Sequence, residues 1–179
     1  MKKLPLKALA IVMCSTAVLA SSLTTPKILL QQETPNPTEF SLTNFSDATK
    51  GISFQRPTSW TQDSSFKEGV RFAGGDEWLE LKVVDDKTAL ETYASAFKLP
   101  STEIKLKTKP FKQGKFSAWV ISSKSVGSSS VTGKPLDLLT DRWVFSPKVG
   151  KLAILTVTSP KAIFDWEGNR DMALSVRLK

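Results

Sequence analysis

The segment Leu152-Ala153-Ile154-Leu155-Thr156-Val157-Thr158 constrains the fold more than any other part of the chain, because it is apolar on both sides. Successive side chains of a strand point to opposite faces, so Leu152 and Ile154 share one face and Ala153, Leu155 and Val157 the other. A strand of this kind belongs in the middle of a sheet that is covered on both faces. The turn Pro147-Lys148-Val149-Gly150 feeds it.

From Thr38 onward, short alternating runs are broken by Gly, Pro and Asn, the pattern of an antiparallel sheet with few helices. Gly51 to Pro57 is a strand that ends at a proline. Val70 to Ala73 and Trp78 to Val84 are two more, joined by Gly74-Gly75-Asp76 as a tight hairpin, with Leu79, Leu81 and Val83 on one face. Thr88-Ala89-Leu90-Glu91 has the spacing of a capping box. Leu90, Tyr93, Ala94 and Phe97 then recur at helical spacing, which predicts an amphipathic helix that stops before Pro100. Further strands are expected at Ile104 to Thr108, Phe116 to Ser122 and Leu136 to Phe145. Ser122 to Ser130, with six serines and one glycine, reads as a mobile connection. At the C-terminal end, Met172, Leu174, Val176 and Leu178 alternate, yet Asp165 suits an N-cap; the segment is assigned as a helix that ends near Ser175.

The N-terminal residues read as a secretory signal over 1–20. Lys2, Lys3 and Lys7 precede an uncharged core from Ala8 to Leu19, and Val18-Leu19-Ala20 offers a cleavage site. Two alternatives stand beside it: acylation at Cys14, where Met13 occupies a position that normally holds a small residue, and an uncleaved anchor over Ala8 to Leu23, short of the usual spanning length. All three place the rest of the chain outside the cytoplasm, in a periplasm, a thylakoid lumen or the medium. Removal of the three leader lysines lowers the formal charge from +8 to +5. Such a balance permits anionic partners without demanding them, and nucleic acid is not expected in that compartment. Residues 21–39, rich in Ser, Thr and Gln with Pro26, Pro35 and Pro37, form a linker. Within it, Lys27-Ile28-Leu29-Leu30 is a local sticky patch or a membrane-proximal element, too short for a useful amphipathic face.

Residue types exclude much chemistry. The chain has no histidine, and its one cysteine lies in the signal, so Ser-His-Asp and thiol catalysis have no base or nucleophile, and ordinary zinc and copper sites have no ligands. Gly127, Gly133 and Lys134 fail as a phosphate loop: five residues separate the glycines instead of four, and Pro135 stands where a hydroxyl is required. Asp165, Glu167, Asn169 and Asp171 alternate as calcium ligands would, but Val176 occupies the closing position, and a helix-capping acidic turn explains them better. Glu77 with Glu80, and Asp85 with Asp86, read as solvated strand ends. No cofactor, metal or catalytic residue is therefore expected. Trp60, Trp119 and Trp143 are assigned to the core, Trp78 and Trp166 to the core or a groove near the helix ends.

Gly51-Ile52-Ser53-Phe54 followed by Pro57 and Trp60, the strand–helix–strands order, and the ending from Leu152-Ala153-Ile154-Leu155-Thr156 through Asp165-Trp166 to Ser175 resemble the PsbP-like (Mog1/PsbP) superfamily of exported bacterial or cyanobacterial type. The resemblance covers most of residues 40–179. It implies a single α+β domain, an antiparallel β-sheet flanked by helices in an α/β/α sandwich. It also implies a protein that lacks catalytic activity and binds or assembles others, the photosynthetic members attaching to photosystem II on the lumenal side. The absence of histidine bars any histidine-dependent metal role from being carried over, and no site residue is transferred.

The surface feature that stands out is Lys105, Lys107 and Lys109, with Ile104 and Leu106 between them and Lys112 and Lys115 beyond. Period two places the first three on one face, as a basic stripe for a membrane protein complex or an anionic membrane surface. The same lysines also suit an edge strand that must resist edge-to-edge pairing. The preferred function is a non-catalytic docking or assembly module. The alternative is a carrier of small apolar ligands or lipids with a Trp-bounded cavity, and the third reading is a hydrolase using Ser–Lys or carboxylate chemistry, for which Ser122, Ser123 and Lys124 are too ordinary a grouping.

Overall fold

The computed structural model describes residues 41–179. In chain order these form β1 (Leu42–Asp47), β2 (Ile52–Pro57), β3 (Thr61–Gln62), β4 (Val70–Gly74), β5 (Glu77–Asp85), α1 (Leu90–Ala96), β6 (Ile104–Gln113), β7 (Phe116–Ser128), β8 (Pro135–Lys148), β9 (Lys151–Pro160), a 3-10 turn (Lys161–Ile163), α2 (Trp166–Ser175) and β10 (Arg177–Leu178). The expected signal over 1–20 with Cys14, and the linker over 21–39 with Lys27 to Leu30, lie outside the described residues. Among the described residues no helix is long and apolar enough to cross a membrane.

The doubly apolar segment becomes β9, the fourth of seven strands in a sheet ordered β3-β4-β5-β9-β8-β7-β6, with every neighbouring pair antiparallel. Ala153, Leu155 and Val157 enter the larger core, shared with Trp143, Leu79, Leu81 and Phe72, with Met172 and Ala173 of α2 and with Val176 just beyond it. Ile154 points the other way, into a second cluster with Ile121, Val144 and Ala94 of α1. Each face of the central strand thus meets its own cover, and helices lie on both sides of the sheet. The α2 side carries a further layer, a three-stranded sheet ordered β1-β2-β10. Phe45 and Phe54 of that layer meet Phe72 edge-on at ring separations of 4.9 and 5.9 Å.

Local signals account for most boundaries. Gly75 turns the β4–β5 hairpin with φ 62, a conformation that favours glycine. Leu90, Tyr93, Ala94 and Phe97 of the α1 region all pack into the second cluster, as their spacing predicts. Asp165 caps α2, accepting the Glu167 N–H at 3.0 Å, and the helix ends at Ser175. The short β10 follows, so the terminal alternation is realised only at Arg177 and Leu178.

Two expectations are corrected. The capping box before α1 does not form: Ala89 is the N-cap and makes no side-chain cap bond, because the Thr88 N–H is drawn to Asp86 Oδ1 at 2.7 Å and the helix starts after that turn. Ser122 to Ser128 is not a loop but the second half of β7, paired with Pro135 to Asp141. Its serines are tolerated in the sheet because Ser122 and Ser123 find buried hydrogen-bond partners there.

Leu155→Ala should lower stability by about 2–5 kcal/mol, because the side chain is fully buried in the central strand and its loss leaves a cavity. Urea unfolding followed by tryptophan fluorescence measures the change; a loss below about 1 kcal/mol would contradict the packing described.

Candidate functional site

The lysines lie on β6, the outermost strand of the large sheet. Its pairing with β7 is regular except at one point: Lys105 stands opposite Ser123, and Lys107 opposite Ser122, which leaves Leu106 as an extra residue. Such a bulge shifts the alternation by one position, so side chains on its two sides swap faces. Lys105 therefore shares the α1 side with Ser123. Lys107 and Lys109, opposite Ser122 and Val120, share the α2 side. The single-faced stripe of three is corrected accordingly. Lys112, opposite Ser117, returns to the α1 side, and Lys115 sits in the turn after Gly114. Ile104 and Leu106 are 62% and 50% exposed at this free edge.

On the α2 side, Lys107 and Lys109 look toward a buried polar group. Asp141 of β8 is only 2% exposed and accepts the Ser122 hydroxyl at 2.5 Å, while its Oδ2 has no partner among the described residues. Burial pushes this carboxyl above the usual range, against the opposing pull of the Ser122 hydrogen bond and the Lys107 and Lys109 charges. The Lys109 ammonium lies 5.0 Å from the centre of the Trp166 ring, which in turn packs on Trp143 at 5.5 Å and on Phe111 at 5.9 Å. Both indole N–H groups, of Trp143 and Trp166, are buried without acceptors among the described residues. The result is a basic rim over an aromatic and carboxylate floor.

The α1 side is built differently. Arg142 of β8 makes a two-pronged ion pair with Glu103, at 2.8 and 2.6 Å, and also donates to the Ser123 hydroxyl at 3.0 Å. Burial pushes the Glu103 carboxyl up, but the hydrogen bonds from Arg142 and Ser123 and the Arg142 charge outweigh it and hold it below the usual range. Lys105 stands beside this saturated network, with no ion pair of its own among the described residues.

The remaining sequence candidates are placed as follows. Glu80 pairs with Arg71 at 2.5 Å, whereas Glu77 lines a separate cavity, so the two glutamates do not form a pair. Asp85 is bridged to Lys151, and Asp86 holds the turn before α1. Gly127 lies inside β7, and Gly133 turns the β7–β8 hairpin with φ 67. Asp165 is occupied as a cap, and Asn169 is buried in α2, so the four alternating residues share no loop. Ser122 and Ser123 face opposite sides of the sheet, the first bonded to Asp141 and the second to Glu103 and Arg142. Trp60 and Trp143 are core, Trp119 packs against the second cluster, Trp78 is half-buried, and Trp166 packs against the larger core.

Asp141 was not singled out from sequence. Its signal was present: Asp141-Arg142 is a charged pair inside the otherwise apolar run from Leu138 to Phe145, and charges buried in a central strand require specific partners.

The sequence matches no family model, and no curated protein sequence is similar to it. Solved structures are similar in fold. The solution structure of cyanobacterial PsbP (CyanoP) from Synechocystis superposes with a TM-score of 0.52 at 16% identity, over 80% of this chain and 96% of that one. A crystal structure from Bacteroides thetaiotaomicron superposes with a TM-score of 0.54 at 11% identity, over 76% of this chain and 48% of that one. The fold is PsbP-like.

Asp141 also sets a pH dependence. Its folded-state pKa lies above the unfolded value, so the protonated form favours the native state, and that contribution is lost as pH rises from about the ordinary aspartate value of 3.8 through the raised folded value. Asp141→Asn should therefore gain stability relative to the parent as pH climbs through this window, level off above it, and show no pH-dependent gain below it. Urea midpoints measured from acid to neutral pH give the difference; a gap that stays flat with pH would place no perturbed carboxyl at Asp141.

Proposed function

We propose that this chain is a non-catalytic, extracytoplasmic binding or assembly module that docks on a membrane protein complex or an anionic membrane surface through the free edge at β6. The observation that carries this reading is the exposure of Ile104 and Leu106 at that edge, between lysines on both faces of the sheet. Lysines alone would serve to keep edges apart. Exposed Ile and Leu work against that purpose, and their combination with flanking ammonium groups suits a surface that is first steered by charge and then buried. The leader-like N-terminal sequence supports export. The carrier reading has no comparable support, since Trp143 and Trp166 pack within or against the larger core, and the cavity that Trp60 lines is shared with Glu77, Ser159, Asp165 and Asn169 rather than being apolar.

The geometry also decides which lysines to change. Lys109 contacts Trp166, and both Lys107 and Lys109 lie near Asp141, so a carboxylate at either would disturb the core rim as well as the surface. Lys105→Glu with Lys112→Glu, both on the opposite face, should abolish salt-sensitive association with native membranes while leaving the unfolding free energy within about 0.5 kcal/mol of the parent. Ile104→Ser with Leu106→Ser should weaken the association that survives in high salt. Sedimentation with native membranes at low and high salt measures both; binding unchanged in both variants would remove the β6 edge from the account.

A further inference from the structure

A second polar site lies away from the lysines, where the start of β5 and the end of β9 meet α2. A cavity of ≈ 180 Å³ is lined there by Glu77, Asp165, Ser159 and Asn169 together with Trp60, Ile163 and Met172. Asn169 is 3% exposed, and its Nδ2 has no hydrogen-bond partner among the described residues. Glu77 has no cationic partner among the described residues. Burial pushes its carboxyl above the usual range, against a lowering contribution from the Ser159 hydroxyl. Asp165 uses Oδ1 to cap α2.

We propose that this cavity binds an α-ammonium group together with the carbonyl beside it, as carried by a free amino acid or by the N-terminus of a peptide. The inventory of unused groups fits that pair. Two carboxylates accept the three N–H donors of an ammonium, and a desolvated carboxylate without a counter-charge gains most from such a partner. The orphaned Asn169 N–H requires an acceptor, which an ammonium group lacks and an adjacent carbonyl supplies. Trp60 and Met172 line the same space with apolar surface for one side chain. Sites for drug-sized ligands occupy roughly 300–1,000 Å³, so a cavity of this size takes about one residue. None of these groups belongs to the β6 edge, and the proposal stands apart from the docking reading.

Two-dimensional NMR of the protein labelled with nitrogen-15, at pH 6.5, tests it through the Trp60 indole N–H and the Asn169 side-chain amide. Leucinamide should shift both signals saturably. N-acetyl-leucinamide, which lacks the ammonium, and isopentylamine, which lacks the carbonyl, should bind at least about ten-fold more weakly, as should leucinamide to Glu77→Gln. Leucine and the peptide Leu-Gly-Gly then separate the two sources: binding of the peptide alone identifies a peptide N-terminus, and binding of leucine with comparable affinity identifies a free amino acid. The proposal is overturned if leucinamide leaves both signals unmoved, if either truncated analogue binds as well as leucinamide, or if Glu77→Gln binds it unchanged. A thermal melt of Glu77→Gln that matches the parent confirms that loss of binding is not loss of fold.

Discussion

Leu155 and Ile154 are adjacent in the chain and buried in opposite directions, and the layered architecture depends on that pair of burials. A central strand with two apolar faces cannot rest against solvent on either side, so it demands two covers from the same chain. The α1 cover is small, seven residues long with only Ala94 fully buried. The α2 cover is larger and needs help from β1, β2 and β10, whose Phe45 and Phe54 reach the sheet at Phe72. The Ser175 hydroxyl receives the Gln55 N–H at 2.8 Å, which ties the small sheet to the helix along the part of β2 that β10 does not pair.

The bulge at Leu106 converts a pattern into a surface. With strict alternation, three ammonium groups would line one face and three apolar or polar side chains the other. The extra residue instead distributes charge to both sides and leaves Leu106 half exposed. On the α1 side the neighbouring charges are already paired through Glu103 and Arg142, so Lys105 adds to a neutralised surrounding. On the α2 side Lys107 and Lys109 act on a buried carboxyl that has no salt-bridge partner of its own. The same edge therefore presents two chemically distinct faces.

Element identity was legible where one period held without interruption. The doubly apolar run at Leu152 to Val157, the helical spacing from Leu90 to Phe97 and the Asp165 cap each state their structure locally. Errors arose where a distant partner decided. Nothing near Thr88 announces that Asp86 will take its N–H, and composition alone makes Ser122 to Ser130 look like a loop, although Asp141, Glu103 and Arg142 await its first two hydroxyls across the sheet. The bulge is of the same kind: alternation in β6 reads perfectly, and only the register of β7 reveals the skipped residue. Of the lysines picked out by pattern, two share a face with the buried carboxyl, while the cavity at Glu77 and Asn169 brings together residues more than eighty positions apart along the chain.

Unsatisfied polar groups are distributed unevenly between the two layers. On the α1 side, the Glu103, Arg142 and Ser123 network bonds its members to one another, and one hydroxyl, Thr108 Oγ1, is left over. On the α2 side, Asp141 Oδ2, the indole N–H groups of Trp143 and Trp166, and Asn169 Nδ2 all lack partners among the described residues. Each such group carries a desolvation cost that a purely structural core would avoid by substitution with an apolar residue of similar shape. A chain free to optimise stability alone would spend its least satisfied positions evenly or not at all. Among the described residues they concentrate on the α2 side, where the helix that spans Trp166 to Ser175 lies between the basic rim at Lys107 and Lys109 and the acidic cavity at Glu77.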